Sequence, residues 1–356
     1  MGVWRARAVA PRAATGGPAF AASCALFFFL PVAAADTPAA GQTLREVVFT
    51  DYGAPSSNAE LVRRLLSPLT AVQLQQDLLR SGKRLADQPV NLSEERFLVR
   101  VPSQHPAAGY GLLVFVPPWQ EARTPAGWAV VLNDFGVIFV TAARSGNDEN
   151  LLGRREPLAL LAAYNVMRRY PVDPRRVYVA GFSGGSRVAL RLVLGYPDLF
   201  RGAILNAGSD PIGTADIPLP PRELLLEFQS SVQLVYVTGE RDEPHVSDDL
   251  LSVRSLRRWC MFKVTSFLQP HIDHEVATPA ALSRALGTLA RSAEADPAEL
   301  AACRSALDAE LATALHAVES LIANGQKARA QKRLKGVDER YGGMAAPRTV
   351  ELASGF

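Results

Sequence analysis

From residue 96 onward, short β-rich runs alternate with helical stretches, and no other feature of the chain narrows its possible folds as far. The runs cover residues 96–101, 112–116, 137–141, 177–181, 202–206, 232–238 and 262–268. Strands joined through helices pair in parallel, so the expected class is α/β, a mainly parallel sheet with helices on both faces. One connecting helix is clearly bounded: Glu156 and Pro157 open it, Leu160, Leu161, Tyr164 and Met167 give it an apolar side, and Pro171 and Pro174 close it. With 356 residues, 48% of them hydrophobic, and only 3 Cys, the chain has material for a large core and is neither a disulfide-dense scaffold nor a disordered tail. Its basic residues are spread along the sequence, so no nucleic-acid partner is expected.

Four segments are expected. Residues 1–35 hold Arg5, Arg7 and Arg12, no acid, and an apolar run over 21–30 followed by Pro31 and by Ala33-Ala34-Ala35. This is the layout of a secretory signal peptide, cleaved after Ala35, and the run falls well short of the roughly 20 residues that span a bilayer. The mature protein is therefore expected in the periplasm or outside the cell, without a stable membrane anchor. The three leader arginines account for the formal net charge of +3, so the remainder is near neutral. Residues 36–95 form an N-terminal extension with a helix predicted over 59–79, where Leu61, Leu65, Leu69 and Leu74 recur at helical intervals. Residues 96–290 form the core. Residues 296–356 are read as a C-terminal helical hairpin: Asp296, Pro297 and Glu299 open a long helix, and Leu300, Cys303, Leu307, Leu311, Leu315, Val318 and Ile322 line one face. Asn324-Gly325 stops it, and a second helix over 327–341 ends at Gly342-Gly343.

Cys24 leaves with the leader, which makes Cys260 and Cys303 the two remaining cysteines of an exported chain. They are expected to form a disulfide that ties the hairpin to the core. The alternative is a pair of buried thiols.

The sharpest local signal is Gly181-Phe182-Ser183-Gly184-Gly185, which fits G-x-S-x-G. A β-rich run ends at Gly181, and Val188, Ala189, Leu192, Val193 and Tyr196 form a helical stripe just after it. This is the context of a nucleophile elbow, in which a sharp turn lifts the serine hydroxyl above the sheet edge. A glycine-rich turn capping an ordinary helix is the plainer alternative. A nucleophilic serine needs a base, and the histidines are His105, His245, His271, His274 and His316. The chain order serine, acid, histidine excludes His105, and His316 lies on the long helix. Asp242 follows the end of a strand run, where a loop can hold a carboxylate. His245 is set aside as a base because it follows Asp242 too closely to loop back independently. His274 and His271 both sit in the loop before the helix opened by Thr278-Pro279, with His274 favoured for its nearness to that helix start.

The chain over about 96–290 resembles the α/β-hydrolase superfamily, in particular bacterial exported esterases related to polyhydroxybutyrate depolymerases and feruloyl esterases. The resemblance is carried by DPRRVYVAGFSGGS at 173–186, TGERD at 238–242 and HEV at 274–276; RYGGMAAPR at 340–348 is similar to the ends of uncharacterised members. It implies an α/β-hydrolase fold with Ser183 as nucleophile, Asp242 as orienting acid and His274 as base. Where many relatives carry His-Gly after the first core strand, this chain has Val116-Pro117-Pro118-Trp119-Gln120. Proline has no amide hydrogen, so an oxyanion hole is expected from the amide of Gly184 together with that of Trp119 or Gln120. No C-x-x-C, H-E-x-x-H or P-loop occurs, and neither metal nor cofactor is expected. The reading is a serine hydrolase acting on a small-molecule or polymeric carboxylic ester through an acyl-enzyme. A serine peptidase and a non-catalytic binding protein of the same fold are the alternatives.

Overall fold

The computed structural model describes residues 41–291 and 294–356 and gathers the β-rich runs into one eight-stranded sheet. The leader expected at 1–35 lies outside the described residues. In chain order the first half comprises β1 (Thr43–Val47), α1 (Asn58–Leu65), α2 (Pro68–Arg80), β2 (Phe97–Arg100), β3 (Tyr110–Val116), α3 (Trp128–Asp134), β4 (Val137–Ala142), α4 (Glu156–Arg169) and β5 (Val172–Phe182). Then follow α5 (Gly184–Gly195), β6 (Gly202–Asn206), α6 (Arg222–Ser231), β7 (Gln233–Gly239), α7 (Glu243–Arg258), β8 (Val264–Gln269), α8 (Pro279–Leu289), α9 (Pro297–Ala323), α10 (Lys327–Tyr341) and α11 (Arg348–Ser354). The strands lie in the order β1-β2-β4-β3-β5-β6-β7-β8. Those from β4 to β8 in this order pair in parallel, whereas β2 runs antiparallel to β4 and to β1.

Alternation along β3 shows how the layers form. Leu112, Val114 and Val116 enter one apolar cluster with α4 and α5, while Leu113 and Phe115 enter a second with Trp128 of α3 and Leu282 of α8. Successive side chains of a strand point to opposite faces, so a strand apolar throughout is buried on both.

Two expectations change ahead of the core. The helix predicted over 59–79 is two helices, α1 and α2, interrupted at Leu66-Ser67. Pro68 disfavours helical backbone at the residue before it, yet suits the first position of a new helix, so the periodic leucines continue across a break. Ser57 accepts a hydrogen bond from the Glu60 amide and caps α1. The second change is β1, an edge strand of half-exposed residues that joins the segment before residue 96 to the sheet.

The tail packs on the same core. Leu307, Leu311 and Val318 of α9 are buried in the larger cluster with Leu225 and Phe228 of α6, each such side chain worth roughly 1.5–3 kcal/mol. Asp296 caps α9 by accepting from the Ala298 amide. Asp338 of α10 accepts from the Ser67 hydroxyl at 2.5 Å and the Leu69 amide at 3.0 Å, anchoring the start of α2. The Gly343 amide donates to Leu219 at 2.7 Å, and α11 follows the hairpin as an element absent from the sequence reading. Cys260, after α7, and Cys303, on α9, are joined by a disulfide across 43 residues.

Closing a loop of that length removes unfolded-state entropy worth about 4 kcal/mol at most. Cys303→Ser should lower the unfolding free energy by up to that amount in urea titrations. Mass spectrometry of the non-reduced protein should find neither thiol free; free thiols at both positions would refute the bridge.

Candidate active site

The turn from β5 into α5 is sterically tight. A β-carbon at Gly181 would lie 2.0 Å from the Gly185 carbonyl oxygen, and one at Gly185 would lie 2.0 Å from that of Val116. Glycine at both positions therefore lets α5 begin directly against the ends of β5 and β3. Between them Ser183 sits at φ 55°, ψ −125°, backbone that a side chain rarely adopts. Its amide donates to the Asn206 carbonyl at 2.8 Å, and its carbonyl accepts from the Ser186 amide at 2.9 Å. The Ser183 hydroxyl is thereby held at the carboxyl edge of the sheet, at the N-terminus of a helix.

Asp242 lies three residues past β7, immediately before α7, with its side chain 5% exposed. His274 comes from the loop between β8 and α8. His274 Nδ1 lies 2.6 Å from Asp242 Oδ2, and its Nε2 lies 3.0 Å from Ser183 Oγ. The loop is pinned by Asn206, whose side chain accepts from the Ala277 amide at 2.6 Å and donates to the Val237 carbonyl at 2.8 Å. One residue at the end of β6 thus links the elbow, the end of β7 and the histidine loop. His271 points elsewhere: its amide donates to Glu240, and its side chain is 80% exposed. Of the two histidines left open by sequence, the structure brings His274 to Ser183.

His245, set aside in sequence as a base, does not reach Ser183, and the structure gives it a contact that the sequence reading did not weigh. Its Nδ1 lies 2.6 Å from the second Asp242 oxygen, Oδ1. Glu243 and Pro244 start a helix directly after Asp242, and helical geometry returns the i+3 residue to the cap without any loop. The signal was present in Asp242-Glu243-Pro244, an acid and a proline at a helix start. The rings of His245 and His274 stack with centroids 4.1 Å apart at 19°, and Phe182 lies 4.9 Å from His274. Burial alone would raise the Asp242 carboxyl, but the hydrogen bonds from His245 and His274 outweigh it and hold the group below the usual carboxylate range.

Asp242, His245 and His274 also bring potential metal-ligand atoms within 4.8 Å of one another. A metal ion bound by two imidazoles lies near the plane of each ring, and nearly parallel stacked rings offer no such common point. The arrangement suits two hydrogen bonds to one carboxylate.

The segment after β3 borders the elbow through the Val116–Gly185 contact. The Pro118 and Gln120 carbonyls accept from the amides of Asn147 and Arg144 at 3.1 and 2.6 Å. The Trp119 ring packs against Phe115 and Phe182 at 5.9 and 6.3 Å. Among the described residues, the amides of Gly184, Trp119 and Gln120 donate to no protein acceptor. A cavity of about 290 Å³ opens beside Gly184, lined by Asn147, Arg155, Arg187 and Asp210 among others. A larger one, about 1340 Å³, runs along α9 and α10 and includes no residue of this site.

Behind the site, Asp249 of α7 accepts from the Ser209 amide at 2.9 Å and from the Thr238 hydroxyl. It ties α7 to the ends of β6 and β7. Burial pushes its carboxyl up to about 7, against the hydrogen bonds it accepts.

No protein-family model and no curated protein matches the chain. Among solved structures it is similar to S-formylglutathione hydrolase from Staphylococcus aureus, at 14% identity over 55% of this chain and 93% of that one, with a TM-score of 0.45. A ferulic acid esterase matches at 16% identity over 55% and 91%, TM-score 0.42. Acetyl xylan esterase from Aspergillus awamori matches at 12% identity over 56% and 96%, TM-score 0.43.

The raised Asp249 value has a definite sign in stability. The folded protein holds a proton that the unfolded chain releases near pH 4, so the stabilisation is complete below about pH 4 and is lost as pH rises through about 7. Asp249→Asn cannot titrate. Its stability relative to wild type should rise between about pH 4 and pH 7, by at most about 1.4 kcal/mol per unit, in urea unfolding at several pH values. A pH-independent difference would show that Asp249 titrates as an ordinary carboxylate.

Proposed function

We propose that this chain, an α/β-hydrolase by fold, is an exported serine hydrolase that cleaves a carboxylic ester through an acyl-enzyme. The observation that carries the reading is the line of contacts from Asp242 through His274 to Ser183, with Ser183 on strained backbone at a strand-to-helix turn. A turn that served only to cap α5 would have no reason to hold a non-glycine residue at positive φ or to aim an imidazole at its hydroxyl.

In this reading Ser183 Oγ attacks the ester carbonyl while His274 Nε2 takes its proton. Asp242 holds the Nδ1–H tautomer and stabilises the imidazolium that forms. The oxyanion is received by the Gly184 amide, at the positive end of α5, and by the amide of Trp119 or Gln120. His274 then protonates the departing alcohol, leaving Ser183 acylated, and afterwards removes a proton from the water that releases the acid. All proton transfers run through one histidine, and no cofactor enters. The leader at 1–35 and the Cys260–Cys303 disulfide support export to an oxidising compartment. The partner proposed is a small-molecule or polymeric ester.

Hydrolysis of aryl esters tests the roles. Ser183→Ala should reduce turnover by a factor on the order of 10⁴ to 10⁶, His274→Ala nearly as much, and Asp242→Asn less. His271→Ala should retain most activity. Activity of Ser183→Ala within about tenfold of wild type would end the acyl-enzyme reading.

The oxyanion hole is tested separately by a crystal structure of the phosphonate adduct. The phosphoryl oxygen should accept from Gly184 and from one amide of Trp119 or Gln120. An oxygen contacted by no amide between Val116 and Gln120 would reject that second donor.

A further inference from the structure

His245 is the one group at the site to which the mechanism above gives no task. We infer that it is a positioning residue for the reaction, fixing the Asp242 carboxylate and sharing control of its acid-side pH dependence with His274. The inference rests on the Ser183–His274–Asp242 reading.

Asp242 offers two oxygens, and each meets a histidine Nδ1 at 2.6 Å. An ionised carboxylate only accepts, so both imidazoles carry their proton on Nδ1 and leave Nε2 bare. For His274 that is the tautomer able to receive the Ser183 proton. A donor on Oδ1 also stops the carboxylate from turning about its terminal torsion, which keeps Oδ2 aimed at His274. The His245 ring is itself confined. A β-carbon at Gly208 would lie 2.4 Å from its Cδ2, and on its other side it stacks on His274.

Neutral and protonated His245 act in opposite directions. While neutral, it orients Asp242 and leaves the negative charge in place for the His274 imidazolium of the transition state. Once protonated, it becomes a cation stacked 4.1 Å from the His274 ring and competes for the same carboxylate. A second positive charge on His274 then becomes costly, so proton uptake at either ring impairs the base. Among the described residues, the acids that interact with His245 include Asp242 ahead of α7 and Asp249 four residues further along it, and His274 faces it from the neighbouring loop. Among the described residues His245 forms no ion pair except with Asp242.

Fluorophosphonate labelling of Ser183, followed over pH and located by peptide mapping, tests this without knowledge of the natural substrate. Three proteins are compared: wild type, His245→Asn and His245→Phe. Asparagine keeps a donor at the position of Nδ1 but cannot titrate; phenylalanine keeps the stacked ring but loses the donor. His245→Asn should retain most of the labelling rate at the pH plateau, with the acid limb moved to lower pH. His245→Phe should lower the plateau by about tenfold, since one buried carboxylate oxygen is left unpaired, and its acid limb should lie above that of His245→Asn. Equal limbs in all three proteins, whatever the plateau or thermal midpoint, overturn the positioning role and leave the triad reading intact. Failure of wild type to label at Ser183 overturns the triad reading, and the role of His245 with it.

Discussion

The strained backbone at Ser183 is the constraint around which the rest of the site is organised. Backbone of this kind costs on the order of 1–3 kcal/mol and survives only where its surroundings fix it from several sides. Here the sides are specific: the Asn206 carbonyl on the Ser183 amide, the Ser186 amide on its carbonyl, and the two glycines that let α5 close against β5 and β3. Asn206 then uses its side chain to hold Val237 and Ala277. The residue that holds the Ser183 turn therefore also holds the end of β7 and the loop that carries His274. Parallel strands make this economical, since their carboxyl ends share one edge and one residue at the end of β6 can bond to what lies on either side of it.

Electrostatics complete what the backbone arranges. Asp242, just before α7, and Asp249, within it, lie seven residues apart, yet their environments act in opposite senses. Asp242 receives two imidazole donors and stays ionised below the usual range. Asp249 is buried with a hydroxyl and backbone amides for company and holds its proton up to about 7. Two acids separated in this way do not compete for one role: the first supplies charge at the site, and the second ties the start of α7 to the adjoining strands.

The hairpin of α9 and α10 enlarges the core on the α4 and α5 face. Its buried stripe, the disulfide from Cys303 to Cys260 and the Asp338 bonds to the start of α2 attach it at three separate places. The segment before residue 96 and the tail after 296, remote in sequence, thus meet on one side of the sheet.

The sequence by itself determined the strands of the core, the two long helices of the tail and the order in which Ser183, Asp242 and His274 follow one another. Alternating β-rich and helical runs, the glycines about Ser183, Asp242 beyond a strand and the stripe from Leu300 to Ile322 are all local patterns, and local backbone preference and burial are what such patterns record. The helix expected over 59–79 shows their limit, because apolar spacing continued through a break that Pro68 imposed. What only the tertiary structure decided are the distances across the sheet edge. Two histidines in one loop, His271 and His274, differ by three residues and look alike as letters, but the bonds from Asn206 turn only the second toward Ser183. His245, set aside as a base, becomes the second partner of Asp242 because a helix returns every third or fourth residue to the same side. Contacts of this kind depend on where separate elements stop relative to one another, which packing of the whole sheet sets and no short stretch of sequence contains.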